Sequence, residues 1–120
     1  MAKILLIDSE EYVRLLYQEE LNDVGHWVIT MASPFELFEK IEEEKPDIIM
    51  LGVRLLDYSW SEVISDVREH YPDLPIIFST SLTELWNKAL MRGVTACFEK
   101  SSNLDRLKEI IDEIMAKRQK

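Results

Sequence analysis

A second cysteine, a long apolar segment and an excess of basic residues are all missing from this 120-residue sequence. Because Cys97 is its only cysteine, the chain can form no internal disulfide, which favours a reducing compartment. Every apolar run is shorter than the roughly 18 residues of a membrane span, and the N-terminus does not fit a secretory signal peptide. We therefore expect a soluble, cytoplasmic protein.

The charge balance argues against two classes of partner. The chain has 14 Lys and Arg against 23 Asp and Glu, a net charge of -9, and this charge repels phosphate backbones and anionic membrane surfaces. We therefore expect no nucleic-acid and no membrane partner, and favour proteins that carry basic patches.

Short apolar runs alternate with amphipathic segments along the chain. Apolar residues at three-to-four spacing indicate helices, with Gly25 placed to end the first helix and Ser33 and Pro34 placed to begin the second. The alternation predicts one α/β domain, residues 1–120, with a parallel sheet covered by helices on both faces. The five runs are rich in β-branched residues, which favours strands: Lys3–Asp8, Trp27–Met31, Asp47–Gly52, Pro75–Thr80 and Val94–Glu99.

Polar residues gather where the predicted strands end. In an open doubly wound sheet, ligands bind in the crevice outside the carboxyl ends of the strands. An acid, hydroxyls and an amine converging there would form a polar pocket, although strand ends are also polar because they meet solvent. The segments at these ends are Asp8–Glu10, Gly52–Arg54, Ser79–Ser81 and Glu99–Ser101.

Four blocks of sequence resemble the receiver domains of bacterial response regulators. The blocks are ILLIDSE, KPDIIMLGVRLLDYSWSEV, PIIFSTS and FEKSSNLDRLKEII, and they occur in the family's order and spacing over essentially the whole chain. The resemblance implies a flavodoxin-like (βα)5 fold with a five-stranded parallel sheet in the order 2-1-3-4-5.

The resemblance also implies a pocket of two adjacent acids that hold Mg²⁺, an aspartate nucleophile, a hydroxyl and a lysine. Asp8, Thr80 and Lys100 match this pattern, but Ser9 falls at the second acid and Gly52 at the nucleophile. Glycine has no carboxylate to attack phosphorus, so phosphorylation at position 52 is excluded on this alignment. With two of three acids missing, we expect no cofactor and weak or absent Mg²⁺ binding.

Further departures from the family collect around the same crevice. Leu56 and Ser101 replace family prolines, Trp60 replaces a glycine, and Cys97 takes the place of an aromatic that many receivers use as a switch. The full predicted pocket is Asp8, Ser9, Gly52, Arg54, Leu56, Tyr58, Trp60, Ser79, Thr80, Ser81, Trp86 and Ser101, with Lys100 as a candidate catalytic amine.

Two hypotheses explain this clustering. The first is a pseudo-receiver that cannot accept a phosphoryl group and acts in two-component-type signalling through protein contacts on its helical surfaces. The second is an engineered receiver scaffold whose strand-end pocket binds a small apolar ligand or positions Lys100 for Schiff-base chemistry. If Trp60 or its neighbours fill the crevice, the first hypothesis gains; if the crevice is open and apolar, the second does.

Overall fold

The predicted apolar runs form one parallel sheet. The computed structural model describes residues 1–54 and 59–118, and within them the strand order is β2-β1-β3-β4-β5, which confirms the expected α/β receiver-type topology. The strands begin or end within two residues of the predicted bounds: β1 is Lys3–Ile7, β2 Trp27–Met31, β3 Ile48–Val53, β4 Ile76–Thr80 and β5 Ala96–Glu99.

Helices cover both faces of the sheet. Helices α1 and α5 pack on one face, whereas α2, α3 and α4 pack on the other. None of the helices in the described ranges is long and apolar enough to cross a membrane. Their bounds are Glu11–Asp23 for α1, Leu37–Glu44 for α2, Trp60–His70 for α3, Trp86–Arg92 for α4, after a 3-10 turn at Thr83–Leu85, and Asp105–Arg118 for α5.

Continuous apolar runs in the inner strands follow from this two-sided packing. Successive strand residues point to opposite faces, so Leu6 packs with α1 and α5 while Leu5 and Ile7 pack with the other three helices. All five residues of β4 are buried, including its two last, polar ones, Ser79 and Thr80. The strand ends are therefore the place where polar side chains enter the core.

The helix signals in the sequence were partly right. Gly25 has φ 94°, the left-handed conformation expected after a helix C-terminus. The prediction that Pro34 opens the second helix was wrong, because α2 begins at Leu37 and Glu36 before it adopts φ 60°. The Ser33 hydroxyl instead accepts a hydrogen bond from the Phe35 N–H at 3.3 Å, which closes a local turn ahead of the helix.

Arg68 on α3 connects the segments that lead into β4 and β5. Its Nε and Nη2 donate to the Gly93 carbonyl at 3.0 and 2.7 Å, and its Nη1 donates to the carbonyls of Tyr71, Pro72 and Leu74 at 2.8–3.0 Å. Burial lowers the pKa of this guanidinium. The Arg68 side chain thus anchors the segments that lead into β4, which ends at Thr80, and into β5, which Lys100 follows.

We predict that Arg68→Met lowers the free energy of unfolding by about 2–3 kcal/mol, because carbonyls that accept from a charged donor lose it. Urea unfolding monitored by circular dichroism measures the change. Arg106→Met on α5 is the matched control, since within residues 1–54 and 59–118 Arg106 pairs only with the exposed carboxylates of Glu109 and Glu113 and its loss should cost at most about 0.5 kcal/mol. Equal effects of the two substitutions would contradict the anchoring role.

Candidate functional site

A buried ion pair joins the first and last strand ends. Asp8 follows β1 and Lys100 follows β5, and the Asp8 Oδ2 lies 2.9 Å from the Lys100 Nζ, with the two side chains 1% and 11% exposed. The other carboxylate oxygen of Asp8 accepts the Glu10 N–H at 2.9 Å. The backbone N–H of Lys100 donates a hydrogen bond to the backbone carbonyl of Thr80 at 3.1 Å. Both partners are therefore held by the backbone as well as by each other.

Gly52 lies on β3, directly beneath the Asp8 carboxylate. A Cβ atom built at position 52 would lie 2.7 Å from the Asp8 Cγ and closer still to its Oδ2, a separation at which real atoms overlap. The carboxylate thus occupies the space that a side chain at position 52 would need. In the observed conformation, any side chain at position 52 would force the Asp8 carboxylate to move.

Glu10 adds a second carboxylate that sequence reasoning left without a role. Its Oε1 lies 3.7 Å from the Lys100 Nζ and 3.7 Å from the Arg54 Nε. The signal was present in the sequence, because Glu10 is only two residues beyond Asp8. Lys100 therefore faces two carboxylates, one from Asp8 and one from Glu10.

Tyr17 on α1 is a further site residue that sequence reasoning treated only as part of a helix pattern. Its hydroxyl donates to the Ser101 carbonyl at 2.9 Å and accepts the Ser101 N–H at 3.3 Å, while its ring packs edge-on against Phe98 at 6.4 Å. Burial raises the pKa of this hydroxyl, and the nearby carboxylates of Asp8 and Glu10 raise it further. Tyr17 fixes the backbone of the residue that follows Lys100.

The hydroxyl residues of β4 have different surroundings. Ser79 and Thr80 are fully buried, and Ser79 is the partner of Gly52 in the strand register. The Thr80 Oγ1 accepts the Leu82 N–H at 3.1 Å, so it stabilises the turn after the strand. Ser81, like Ser9 near the end of β1, is exposed. Of these four residues, only Ser79 and Thr80 are buried at the strand ends.

The predicted aromatic residues pack on the sheet rather than around Lys100. Trp60, half-buried, stacks on Phe78 with ring centroids 4.9 Å apart, and Lys88 lies 5.6 Å above its ring. Trp86 is half-buried against the same α2, α3 and α4 side of the core, whereas Tyr17 and Phe98 belong to the opposite side. Two further predicted positions, Leu56 and Tyr58, lie outside the described residues.

The donor atoms at this site do not fit a Mg²⁺ ion. Mg²⁺ prefers carboxylate oxygens in octahedral geometry, but both carboxylates here face the Lys100 ammonium, and Ser9 and Gly52 supply none. Across residues 1–54 and 59–118, no group of three or more His, Cys, Asp or Glu side chains is arranged to hold a metal. The cation that these two carboxylates contact is the Lys100 ammonium.

A sequence comparison assigns this arrangement to a family. The response regulator receiver domain family matches residues 4–112. The chain belongs to this family. Its sheet order and its strand-end lysine and acid are those that the resemblance implied, and the receiver fold is thereby established.

Individual relatives support the same assignment. The alkaline phosphatase synthesis transcriptional regulatory protein PhoP of Bacillus subtilis is 38% identical over 88 residues, which is 73% of this chain and 37% of PhoP. The luminescence regulatory protein LuxO of Vibrio campbellii is 26% identical over 93% of this chain and 25% of LuxO. The chain therefore spans only about a quarter to a third of these curated relatives.

A solved receiver structure matches over nearly its full length. The response regulator TrrA of Thermotoga maritima, in complex with Mg²⁺ and BeF, superimposes with a TM-score of 0.85 at 27% identity and covers 95% of this chain and 99% of TrrA.

We predict that Gly52→Ala lowers the free energy of unfolding by about 2–4 kcal/mol, since the new Cβ displaces the Asp8 carboxylate from Lys100. At an unconstrained position the same change stabilises a protein by about 0.4–1 kcal/mol. In an Asp8→Ala background the cost should shrink, with a coupling of about 1–3 kcal/mol in a double-mutant cycle. Additive effects in urea unfolding would contradict the proposed overlap.

We predict that Tyr17→Phe costs about 1–2 kcal/mol of stability, because the Ser101 N–H and carbonyl both lose their partner. Amide hydrogen exchange of Ser101 should become faster, whereas exchange in β1 and β3 should change only in proportion to the global loss. Tyr12→Phe, an exposed tyrosine on the same helix, should leave both measurements unchanged. An unchanged Ser101 exchange rate in Tyr17→Phe would show that the hydroxyl does not fix this segment.

Proposed function

We propose that this receiver domain does not accept a phosphoryl group and acts as a protein-interaction module in two-component-type signalling. The observation that supports the proposal is the geometry at position 52. Gly52 offers no nucleophile, and the Asp8 carboxylate occupies the space that a side chain at this position would need. A receiver needs a carboxylate at this point to form an acyl phosphate.

Asp8 is a poor substitute for the missing nucleophile. Its carboxylate is 1% exposed and its Oδ2 is paired with Lys100 at 2.9 Å, while Oδ1 accepts a backbone N–H. In-line attack on phosphorus requires an oxygen that a phosphoryl donor can approach. Both oxygens of Asp8 are engaged inside the protein, which supports the loss of phosphotransfer rather than its transfer to a neighbouring acid.

The internal ion pair also suggests how the domain keeps one conformation. In the family pattern the lysine pairs with the phosphoryl group, whereas here Lys100 pairs with Asp8 and Glu10. Cys97, at the family's aromatic switch position, is a half-buried thiol whose pKa is raised by burial. A domain with neither a phosphoryl group nor a switch aromatic would present its surfaces constitutively.

The helical surfaces carry apolar side chains that suit protein contacts. Tyr12 and Leu15 on α1 are 69% and 59% exposed, and Leu90 and Met91 on α4 are 48% and 89% exposed. Exposed apolar groups next to charged ones are common where partners bind. These surfaces, rather than the strand-end crevice, are where we propose that partners bind.

The alternative of an engineered, ligand-binding or amine-catalytic scaffold gains no support. A Schiff base forms when a carbonyl compound reaches a free amine, whereas the Lys100 Nζ lies 2.9 Å from the Asp8 Oδ2 and its side chain is 11% exposed. Trp60 packs on Phe78 instead of standing free beside Lys100.

We predict that incubation with acetyl phosphate and Mg²⁺ leaves the intact mass of the protein unchanged, because no accessible carboxylate occupies position 52. Electrospray mass spectrometry under conditions that preserve acyl phosphates provides the measurement. A receiver domain that retains an aspartate at the matched position, treated in parallel, must gain one phosphoryl group. Stoichiometric addition to this chain would overturn the proposal, and peptide mapping would then identify the modified residue.

A further inference from the structure

A groove between α2 and α3 combines two features that do not occur together in the strand-end site: an apolar floor and a rim of unpaired acids. The groove has a volume of about 270 Å³. Its lining comprises Pro34, Glu36, Leu37, Phe38, Glu39, Val63, Asp66 and Val67.

The floor of the groove is rigid. Leu37 and Val67 are buried in the core, and Phe38 and Val63 are half-buried against them. The Phe38 ring is held from the far side by His70, at a centroid distance of 4.8 Å. An apolar side chain that enters the groove would therefore meet a preformed surface.

The rim carries negative charge that the protein does not neutralise. Glu36, Glu39 and Asp66 are exposed, and no Lys, Arg or His of the described residues lies within 4 Å of their carboxylates. Neighbouring acids of α2 differ. Each of those is paired within the chain, with Glu42 bonded to the Tyr71 hydroxyl, Glu43 to Lys40 and Glu44 to Lys3.

A large exposed apolar residue, Phe35, is adjacent in the sequence to two lining residues of the groove. Phe35 is 77% exposed, and it lies between Pro34 and Glu36, whose φ of 60° is uncommon for a residue other than glycine.

We infer that the α2–α3 groove binds a basic amphipathic helix of another protein. An apolar residue of that helix would enter the groove, and Lys or Arg residues one turn away would meet the acidic rim, which is the usual helix-in-groove arrangement. The volume suits one or two side chains and is below the range of most small-molecule sites. The acidic rim repels nucleic acid and anionic membranes. This inference rests on the proposed role as an interaction module and names its partner class.

The probe is a synthetic helical peptide of about 14 residues built from leucine and lysine at amphipathic spacing. Titrated into ¹⁵N-labelled protein at low salt, it should shift the amide resonances of residues 35–39 and 63–67, and added NaCl should weaken binding. A peptide of the same composition, scrambled to lose its apolar stripe, controls for net charge. Shifts centred on another face, equal binding of the scrambled peptide, or no binding would overturn the inference.

Matched variants separate the groove from the overall charge. The double variant Glu39→Lys with Asp66→Lys should weaken peptide binding by roughly tenfold. The variant Glu109→Lys with Glu113→Lys on α5 changes the net charge equally and should leave the affinity within about twofold. Val63→Asn should weaken peptide binding because it makes the floor of the groove less apolar. Circular dichroism checks that each variant is folded. Equal losses in the α2–α3 and α5 charge variants would show that binding is nonspecific attraction.

The two proposals fail separately. If acetyl phosphate leaves the mass unchanged but the peptide does not bind at the groove, only the partner inference falls. If the protein gains a phosphoryl group, the proposed loss of phosphotransfer falls whatever the peptide does.

Discussion

The buried ion pair between Asp8 and Lys100 is the interaction on which the other contacts at the strand ends depend. Two opposite charges removed from water are costly to bury unless further hydrogen bonds satisfy them. Here the backbone contributes these bonds: the Glu10 N–H donates to Asp8, and the Lys100 N–H donates to Thr80. The charges are thus fixed by three separate strand ends, and the pair links β1 to β5 across the intervening strands.

Tyr17 and Glu10 add further contacts around this ion pair. Tyr17 holds the backbone at Ser101, next to the lysine, and Glu10 places a second carboxylate 3.7 Å from the Lys100 Nζ. A removed partner would leave a buried charge uncompensated, which is costlier than the loss of an exposed ion pair. These contacts therefore form a structural element that links the ends of β1, β4 and β5.

The fold could be predicted from the sequence because its signals are local and repeated. Apolar runs such as IIML require a sheet buried on both faces, and the strand order followed from the family resemblance. The bounds of α2 could not be predicted, since a Ser–Pro cap signal competed with the turn closed by the Ser33 hydroxyl. At the site, Asp8, Gly52 and Lys100 were found by alignment, but Glu10 and Tyr17 were assigned roles only by distances that the sequence does not contain.

Gly52 illustrates the limit of reading a missing side chain. The sequence showed that a carboxylate was absent, but not which atoms fill the space. Alanine, serine or asparagine would also remove the nucleophile, yet each carries a Cβ that would overlap the Asp8 carboxylate. With glycine at position 52, the Asp8 carboxylate pairs with Lys100 without meeting a side chain from β3. The glycine at position 52 and the buried ion pair are consequently one coupled feature, because the Asp8 carboxylate that pairs with Lys100 occupies the space beside the glycine.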